Sequence, residues 1–502
     1  GAGLGGRGAI VNASATSQYN ALTKVALTAP TTFGGEHKDA RWDIRTTTTG
    51  SAATLDMNGF DIAKVGSNYV GLTAVEVTPG AGNIDVKEGF FSVEVGTRLN
   101  GSAANTLTVR GGAVFDIYNL YYPILWSLTM EDNSRFYARQ GNVPYWNVWD
   151  GPVTLNGRAV FDSGSASATV RGGISGEGSL VKIGSGTVYL RGSNTYGGLT
   201  TVSNGTLYVQ SPAALSGYDA GKLTLVGSST LAMPALGGGI GWSAADIRDL
   251  HDATTFPSAT AVLSIDTTYA NLDYPHTLSK AVSVTKQGDN TLSFSGTFDT
   301  KSHLRTYGGE IRFSTGSHTP GTVVVGNSTL TLDGNAYIGI VSNSCYIGDG
   351  STHFGRMTVK DNAAWSGFLY PYNVNQSTLV IGQSGRGILT IQDNASVTQR
   401  LIVGNNGSGA GAVYQNGGRM HNWGGAASDP RVGEAGYGYY ELNSGTFTNN
   451  GYFQVGRQFA SVGIVRQTGG AVEMGTVYGG QLGISSGGTG VGVPAGGTLA
   501  PG

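Results

Sequence analysis

The fold of this 502-residue chain is decided by the stretch 178–209, which reads GSLVKIGSGTVYLRGSNTYGGLTTVSNGTLYV. It contains four short runs of residues that favour β-strands, Ser179–Ile183, Thr187–Arg191, Leu199–Val202 and Thr206–Val209. Glycine, alone or with Ser or Asn, separates these runs, and such residues accept the left-handed backbone of a sharp corner. The stretch therefore predicts flat strands joined by tight corners.

The same pattern recurs, without a gap, at 282–313. Lys182 aligns with Lys286, and Gly184 aligns with Gly288. Strands and corners that repeat at a fixed spacing indicate a solenoid, in which each turn stacks on the one before it.

The pattern G-x-L-x-K-x-G-x-G-T-φ-x-L-x-G-x-N-T-Y-x-G-x-T-x-V-x-x-G-T-L at 178–209 resembles the autotransporter-associated β-strand repeat of bacterial secreted β-helix passenger domains. The copy at 282–313 departs from it, because Asn290 replaces the second glycine and the N-T-Y-G-G corner is absent. The resemblance implies a right-handed parallel β-helix displayed outside the cell. It implies no catalytic residues, because the repeat is scaffold.

The composition agrees with a corner-rich all-β chain. Glycine accounts for 83 of the 502 residues, against about 7% in ordinary proteins. Hydrophobic residues make up 39% and aromatic residues 9%, which excludes a disordered glycine-rich tail. Together with the resemblance, this predicts an all-β, right-handed parallel β-helix (a β-solenoid) with one short helical insertion.

Charge and cysteine content exclude several classes of function. The formal net charge is −2, and without a basic field we predict no nucleic-acid partner. No stretch approaches the ~20 apolar residues of a membrane helix, so we predict no membrane insertion. The single cysteine, Cys345, is predicted to be a small buried hydrophobe. A chain without disulfides is typical of the cytosol and also of passengers that cross a membrane unfolded; the resemblance favours the second interpretation.

We predict three parts in the chain. Residues 1–233 form an N-terminal β-solenoid with an aromatic-rich loop at 117–150. Residues 234–279 form an insertion with a short helix, and residues 280–502 form a C-terminal β-solenoid with turns of about 22 residues.

The predicted helix covers Ser243–Asp252. Ala244, Ile247 and Leu250 recur on one face of it. Ser243 is placed to cap its first turn, and Asp246 lies near the positive end of the helix dipole.

The C-terminal third is built from a different repeat. It consists of an apolar residue and a glycine, a spacer, and a strand that ends in Asp or Asn followed by Asn or Gly. The apolar–glycine anchors are Val325-Gly326, Ile347-Gly348, Ile381-Gly382, Val403-Gly404, Val432-Gly433 and Val455-Gly456, at spacings of 22, 34, 22, 29 and 23. Spacings near 22 predict one solenoid turn, and longer ones predict a turn with a loop.

The segment 117–150 is the best candidate for a binding site, because it holds three of the seven tryptophans. Exposed Trp and Tyr faces stack on sugars or anchor interfaces. The alternative is that these rings pack inside a loop or cover the end of the solenoid. The candidate residues are Tyr121, Tyr122, Trp126, Tyr145, Trp146 and Trp149.

Other motifs favour structure over chemistry. Gly3–Gly8 fits G-x-G-x-x-G, but no strand precedes it and no helix follows, so it does not predict a dinucleotide site. No two of the seven histidines have metal-ligand spacing, and we predict no metal and no cofactor. Asp349, Asp361 and Asp393 precede Gly or Asn and are predicted to form corners, with calcium binding as the alternative.

We predict a protein that is not an enzyme. The alternative is a polysaccharide lyase or hydrolase, which would need a pair of carboxylates about 5–9 Å apart. The candidate carboxylates around the aromatic segment are Asp116, Glu131, Asp132, Asp150 and Asp162.

The expected function is that of an extracellular structural or adhesive protein on a bacterial cell surface, resembling an autotransporter passenger. We expect secretion after removal of an N-terminal signal that this sequence does not contain. Two partners are considered: a second copy bound end to end in a fibre, and a cell-surface glycan. The alternative function is a glycan-binding or polysaccharide-degrading β-helix.

Overall fold

The computed structural model describes residues 1–46, 52–140, 147–236, 241–341, 344–367, 377–422, 429–449, 451–474, 482–483, 489–494 and 498–501. The chain divides into two compact units. Unit 1 comprises Gly1–Met233 and Asp252–Ala261, and unit 2 comprises Pro234–His251 and Val262–Gly502. Within each unit, strands pair in parallel with the strands of neighbouring turns. The predicted all-β parallel β-helix is therefore confirmed.

The strands of unit 1 lie in four parallel sheets, and sheets A and B contribute the most strands to it. Sheet A is formed, in order, by Ile10–Asn12, Thr31–Gly35, Ile62–Lys64, Ile84–Val86, Thr106–Val109, Ser127–Met130, Val153–Leu155 and Ile174–Ser175. Sheet B is formed, in order, by Gln18–Leu22, Arg41–Arg45, Tyr69–Thr73, Phe90–Glu94, Val114–Tyr118, Arg135–Arg139, Arg158–Asp162, Ser179–Ile183, Thr200–Val202 and Leu223–Leu225.

Strands of two further sheets complete the turns of unit 1. Sheet C is formed by Lys24–Ala26, Ala53–Asp56, Val75–Val77 and Arg98–Leu99. Sheet D is formed by Val148–Trp149, Ser167–Val170, Thr187–Leu190, Thr206–Val209 and Thr230–Pro234. Short 3-10 turns lie at Leu4–Gly6 and Pro212–Ala214.

Unit 2 has two long parallel sheets, E and F, with short strands beside sheet F. Sheet E is formed by Val262–Asp266, Ser283–Gln287, His303–Thr306, Thr322–Val325, Cys345–Ile347, Thr378–Ile381, Arg400–Val403, Arg431–Val432, Phe453–Val455 and Leu482–Gly483. Sheet F is formed by Leu272–Tyr274, Thr291–Phe294, Glu310–Phe313, Thr329–Leu332, Phe354–Val359, Arg386–Thr398, Ala410–Asn422, Tyr437–Asn449, Val462–Gln467 and Thr489–Pro494. The short strands are Ser317–His318, Tyr337–Gly339, Ala364–Ser366, Ala471–Met474 and Thr498–Pro501.

Columns of apolar side chains fill the interior. In sheet A, Ile84, Leu107, Leu128, Val153 and Ile174 are register partners on consecutive turns, and each is buried. The residues between them face outward, because side chains alternate between the two faces of a strand. Burial of these columns supplies the main stabilisation, at roughly 25 cal/mol per Å² of apolar surface.

The deciding stretch 178–209 forms the predicted strands. Ser179–Ile183 and Thr206–Val209 have the predicted bounds, and Thr187–Leu190 and Thr200–Val202 are each one residue shorter than predicted. Gly184 has a φ of 78°, and a Cβ there would lie 2.5 Å from the backbone nitrogen of Gly164. Glycine is required at this corner because of both its φ and its close approach to the previous turn.

The lysine of the repeat has a structural role. Its side chain is buried, and Nζ of Lys182 donates to the carbonyls of Ile183 and Gly184 at 2.8 Å each and of Asn204 at 3.0 Å. The first two belong to its own corner and the third to the corner of the next turn. Lys286 binds the carbonyls of Gly288 and Gly308 in the same manner. The ammonium group therefore joins consecutive corners.

The anchors of the C-terminal repeat stack as their spacing predicts. Val325, Ile347, Ile381, Val403 and Val432 are register partners at the ends of consecutive strands of sheet E, and all five are buried. The glycines that follow the last four have φ values between 68° and 79°, so the chain turns at each anchor.

The predicted helix is present as α1, Ala244–Ala253. Oγ of Ser243 accepts the backbone N–H of Asp246 at 3.2 Å, and the carboxylate of Asp246 accepts the backbone N–H of Ser243 at 3.0 Å. This is a reciprocal cap of the first turn. Ile247 and Leu250 are buried, as predicted, whereas Ala244 is half-buried. Nε2 of His251 accepts the backbone N–H of Lys280 at 3.1 Å, which fixes the helix within unit 2.

The range 234–279, predicted as an insertion, also contains solenoid strands. Val262–Asp266 pairs in parallel with Ser283–Gln287, and Leu272–Tyr274 pairs in parallel with Thr291–Phe294. These strands do not carry the repeat pattern, although they pair in parallel, so the sequence showed only the interruption.

Candidate functional site

The structure separates the predicted aromatic residues of segment 117–150. Trp126 and Trp149 are 0% exposed, whereas Tyr121 is 47% and Tyr122 is 38% exposed. The other two candidates, Tyr145 and Trp146, lie outside the described residues.

The two buried tryptophans belong to the interior of unit 1. The Trp149 ring makes edge contacts with Phe115 and Phe136, at centroid distances of 5.6 and 6.3 Å. Nε1 of Trp126 donates to the carbonyl of Asn100 at 3.3 Å. These two rings therefore pack in the interior, as in the alternative to a binding site given above. Their faces are not available for stacking on a ligand.

The two exposed tyrosines leave a small aromatic surface. The guanidinium carbon of Arg98 lies 4.0 Å from the ring centroid of Tyr122, which is a cation–π arrangement. Tyr121 precedes it directly in the chain. Of the four predicted residues that the structure describes, this adjacent pair retains an exposed aromatic face.

Segment 117–150 also contributes Arg139 to a charged cluster on the outer face of sheet B. We call it the Arg41 cluster; its members are Arg41, Asp43, Tyr69, Glu94, Asp116 and Arg139. Three columns of register partners build it. Arg41 and Tyr69 are partners in the first, the second contains Asp43, Gly71, Ser92 and Asp116, and the third contains Arg45, Thr73, Glu94, Tyr118 and Arg139. Parallel stacking thus brings together side chains that lie 20 to 100 residues apart in the sequence.

The glutamate at the centre of the Arg41 cluster bridges both arginines. Arg41 donates from Nε to Oδ1 of Asp43 at 2.6 Å and from Nη2 to Oε2 of Glu94 at 2.8 Å. Arg139 donates from Nη2 to Oε1 of Glu94 and from Nε to Oδ2 of Asp116, each at 2.8 Å. The Tyr69 hydroxyl donates to Asp116 and lies 3.2 Å from Oε1 of Glu94.

Burial and charge imbalance shift the titration of the three carboxyl groups. Asp43 and Asp116 are 0% exposed, and the three carboxylates form ion pairs with two guanidinium groups, those of Arg41 and Arg139. Burial raises the pKa of Asp43 to about 6, with Arg41 opposing and Glu94 adding to the shift. Burial likewise raises the pKa of Asp116 against the effect of Arg139. For Glu94, burial acts to raise the pKa, but the bonds from Arg41 and Ser92 and the charge of Arg139 together lower it.

We expect the Asp43→Asn variant to change how stability depends on pH. The pKa of Asp43 lies above its unfolded value of 3.8, so between about pH 4 and 6 the folded state binds more protons than the unfolded state. The contribution of Asp43 to stability is therefore present below pH 4 and is lost as pH rises through 6. Urea unfolding at pH 4, 5, 6 and 7 measures the free energy of unfolding of both proteins. Between pH 4 and 7 it should fall further in the wild type than in Asp43→Asn, by on the order of 1–3 kcal/mol.

The half-buried Asp85, which pairs with Arg110, provides the control for this measurement. Asp85→Asn should keep the wild-type pH profile. Identical profiles for wild type and Asp43→Asn would contradict the raised pKa.

The geometry of the Arg41 cluster is that of a structural clamp across several turns. A catalytic acid or base must come within hydrogen-bond reach of its substrate, and the Asp43 and Asp116 carboxyl groups have no exposed surface. Asp162 pairs with Arg135 on the same face. Of the carboxylates named from sequence, Asp116 alone joins Asp43 and Glu94. Asp43 and Glu94 were not named from the sequence. The pattern that could have indicated them is the two-residue period of polar positions in RWDIR (41–45) and in FFSVE (90–94).

Two of the aspartates considered for calcium lie at stacked corners. Asp361 and Asp393 have φ values of 58° and 57°. The backbone N–H of Asp361 donates to Oδ2 of Asp393 at 3.1 Å, and Oδ2 of Asp361 accepts the backbone N–H of Gly334 at 2.9 Å. Across the described ranges, no three His, Cys, Asp or Glu side chains are grouped so that they could hold a metal ion.

The parallel turns, stacked corner glycines and buried repeat lysines define a repeat-built parallel β-helix. Residues 180–209 match the family model of the passenger-associated-transport-repeat. This match and the β-solenoid fit an autotransporter passenger β-helix repeat protein, and the resemblance seen in the sequence is confirmed. Comparison with curated proteins and with solved structures gave no match. Among the helices of the described residues, none has the length and apolar character to cross a membrane.

Proposed function

We propose that this chain is an extracellular structural or adhesive protein on the bacterial cell surface, of the autotransporter passenger type. The observation that carries the proposal is the match of residues 180–209 to the passenger-associated-transport-repeat, within a chain that is a parallel β-helix throughout both units. Such a scaffold presents corners and loops on an extended surface.

Surface labelling tests this proposal. Gly407 lies in an exposed corner, and a Cβ there would meet no atom within 4 Å, so an epitope inserted after it should leave the stacking intact. We expect an antibody against the epitope to label intact bacteria that express the full-length protein. A cytosolic protein with the same epitope should be labelled only after permeabilisation. Labelling of the β-helix chain only after permeabilisation would contradict surface display.

Open strand edges support the fibre version of this role. Ile10–Asn12, Gln18–Leu22 and Lys24–Ala26 each lie at the end of their sheets, and within the described residues each has a strand on one side only. Such edges accept a further strand, from a second copy or from another part of a longer chain. Electron microscopy of the purified protein over a range of concentrations distinguishes these two sources of the added strand. Fibres require a second copy, and isolated particles at every concentration would exclude the fibre version.

The proposed role is non-catalytic. The sealed carboxyl groups of Asp43 and Asp116 support it, because their exposed surface is 0%. A screen of plant, algal and bacterial polysaccharides, with reducing-end and unsaturated-product readouts, tests the alternative of a lyase or hydrolase. Release of product by the purified chain would overturn the non-catalytic role.

A further inference from the structure

Several corners of the chain contain an asparagine followed by a glycine. In such a pair the backbone nitrogen of the glycine can attack the side-chain carbonyl carbon of the asparagine, because glycine has no side chain to hinder the approach. The attack requires that the nitrogen lies close to that carbon and that the side-chain amide is free to leave. Within the described residues, the asparagines of these pairs are Asn58, Asn100, Asn156, Asn204, Asn406 and Asn416.

Five of these six side chains are held by hydrogen bonds to other turns of the solenoid. They are the side chains of Asn58, Asn100, Asn156 and Asn406, which donate from Nδ2, and of Asn416, which accepts at Oδ1. For example, Nδ2 of Asn58 donates to the carbonyl of Leu27 at 2.8 Å. Each of these bonds must break before the side-chain amide can react, so the fold protects these five pairs.

Asn204 is arranged differently. Its side chain is exposed, and its Oδ1 accepts the backbone N–H of the following Gly205 at 2.8 Å. Cγ is one C=O bond, about 1.2 Å, from that oxygen, so the nitrogen of Gly205 lies near the carbon that it would attack. Among the described residues, Nδ2 of Asn204 has no hydrogen-bond partner, so no bond to another turn holds the leaving group.

The buried lysine of the repeat binds the same peptide group. Nζ of Lys182 donates to the backbone carbonyl oxygen of Asn204 at 3.0 Å, and this carbonyl is joined to the nitrogen of Gly205. When that nitrogen loses its proton, resonance places negative charge on the carbonyl oxygen. An ammonium group at hydrogen-bond distance stabilises this charge. Lys182 therefore makes the nitrogen of Gly205 easier to deprotonate and more reactive.

We propose that Asn204–Gly205 is a site of spontaneous covalent modification, at which Asn204 is converted to isoaspartate or aspartate. Water removes the N–H proton of Gly205, and the nitrogen forms a bond to Cγ of Asn204. The Cγ–Nδ2 bond breaks, and Nδ2 takes a proton from water and leaves as ammonia. Water then opens the five-membered imide. The whole conversion consumes one water molecule, releases one ammonia molecule and changes no oxidation state.

Lys182 also influences which product forms. Water that attacks the backbone carbonyl carbon of Asn204 breaks its bond to the nitrogen of Gly205 and gives isoaspartate, whereas attack at Cγ gives aspartate. The ammonium group polarises the backbone carbonyl, so isoaspartate is favoured. Isoaspartate adds a methylene group to the main chain at a closely stacked corner, where a Cβ on Gly205 would lie 2.4 Å from the carbonyl oxygen of Gly184. The modification therefore loosens this corner.

Peptide mapping by mass spectrometry of the full chain, incubated at pH 7 and sampled over time, tests the proposal. Burial lowers the pKa of Lys182 to about 8, so its ammonium group is charged at this pH. We expect Asn204 to convert at least about tenfold faster than each of the other five asparagines. In concentrated urea the six should convert at similar rates, because the contacts of the fold are absent. A native rate at Asn204 no higher than the other five, or the same preference in urea, would overturn the proposal.

Lys182→Met tests the part played by the ammonium group. We expect conversion of Asn204 to slow roughly tenfold and the isoaspartate share of its product to fall, while the other five rates stay unchanged. Loss of structure alone would speed conversion, so a decrease confined to Asn204 is specific. Lys87→Met, at an exposed lysine, should convert as the wild type does. An unchanged or faster rate at Asn204 in Lys182→Met would overturn the role of the lysine. Surface labelling is a separate readout, so its failure leaves this result intact.

Discussion

Replacing Lys182 with Met is expected to lower the free energy of unfolding by on the order of 3 kcal/mol. Met has a similar length and is tolerated in an apolar interior, but it cannot donate to the carbonyls of Ile183, Gly184 and Asn204. Buried acceptors that lose their donor cost about 1–3 kcal/mol each. Urea unfolding followed by circular dichroism measures the loss, with the midpoint compared at unchanged slope.

A pair of further lysines makes this test specific. Lys64 is buried, and its Nζ donates to the carbonyls of Val65, Gly66 and Glu88 at 2.9, 2.7 and 3.1 Å, so Lys64→Met should show a similar loss. Lys87 is exposed, and Lys87→Met should unfold at the wild-type urea concentration. If Lys182→Met and Lys87→Met unfold together, the ammonium group does not hold the corners.

The buried lysines show what periodicity in a sequence can predict. Lys182 and Lys286 occupy the same position of a repeated pattern, between a strand and its corner glycine, so their shared environment follows from the pattern. Lys64 lies at the end of a strand of sheet A and is followed by Val65 and Gly66, as Lys182 is followed by Ile183 and Gly184. It forms the same kind of bonds, so a lysine two positions before a corner glycine can create this environment outside the full repeat.

The Arg41 cluster was beyond what the sequence could predict. Arg41 meets Glu94 because parallel stacking places the strand Phe90–Glu94 two turns beyond the strand Arg41–Arg45. Turn length varies along the chain, as the anchor spacings of 22, 34 and 29 show, so a residue's partners on the next turn cannot be counted from sequence. The outward orientation of each residue was predictable from the two-residue period of a strand, but its neighbours were not.

The positions of corners were predicted from the sequence, but the strand pairing that continues across a corner was not. Asp393-Asn394 was predicted to end a strand, and Asp393 does have a left-handed φ of 57°. However, Arg386–Thr398 pairs with Ala410–Asn422 on both sides of this corner, with a shift of register between Asp393 and Ser396. The corner is thus a local irregularity within a paired ladder, because the turns before and after it bend at the same place.

Trp149→Ala is expected to lower the free energy of unfolding by about 3–5 kcal/mol, the cost of removing a fully buried aromatic side chain. Trp149→Phe should cost less, because Nε1 of Trp149 has no hydrogen-bond partner and a phenyl ring retains the contacts with Phe115 and Phe136. Tyr121→Ala should stay within about 0.5 kcal/mol of the wild type, since its ring is at the surface. Urea unfolding followed by circular dichroism measures all three.

The comparison decides which members of segment 117–150 are available for binding. A large loss in Trp149→Ala and a negligible one in Tyr121→Ala assign the tryptophan to the core and leave the Tyr121–Tyr122 face for a partner. A negligible loss in Trp149→Ala would contradict the buried position of the ring. In that case the six aromatic residues named from sequence would again have to be considered together as a surface, because only an exposed tryptophan can be removed without leaving a cavity.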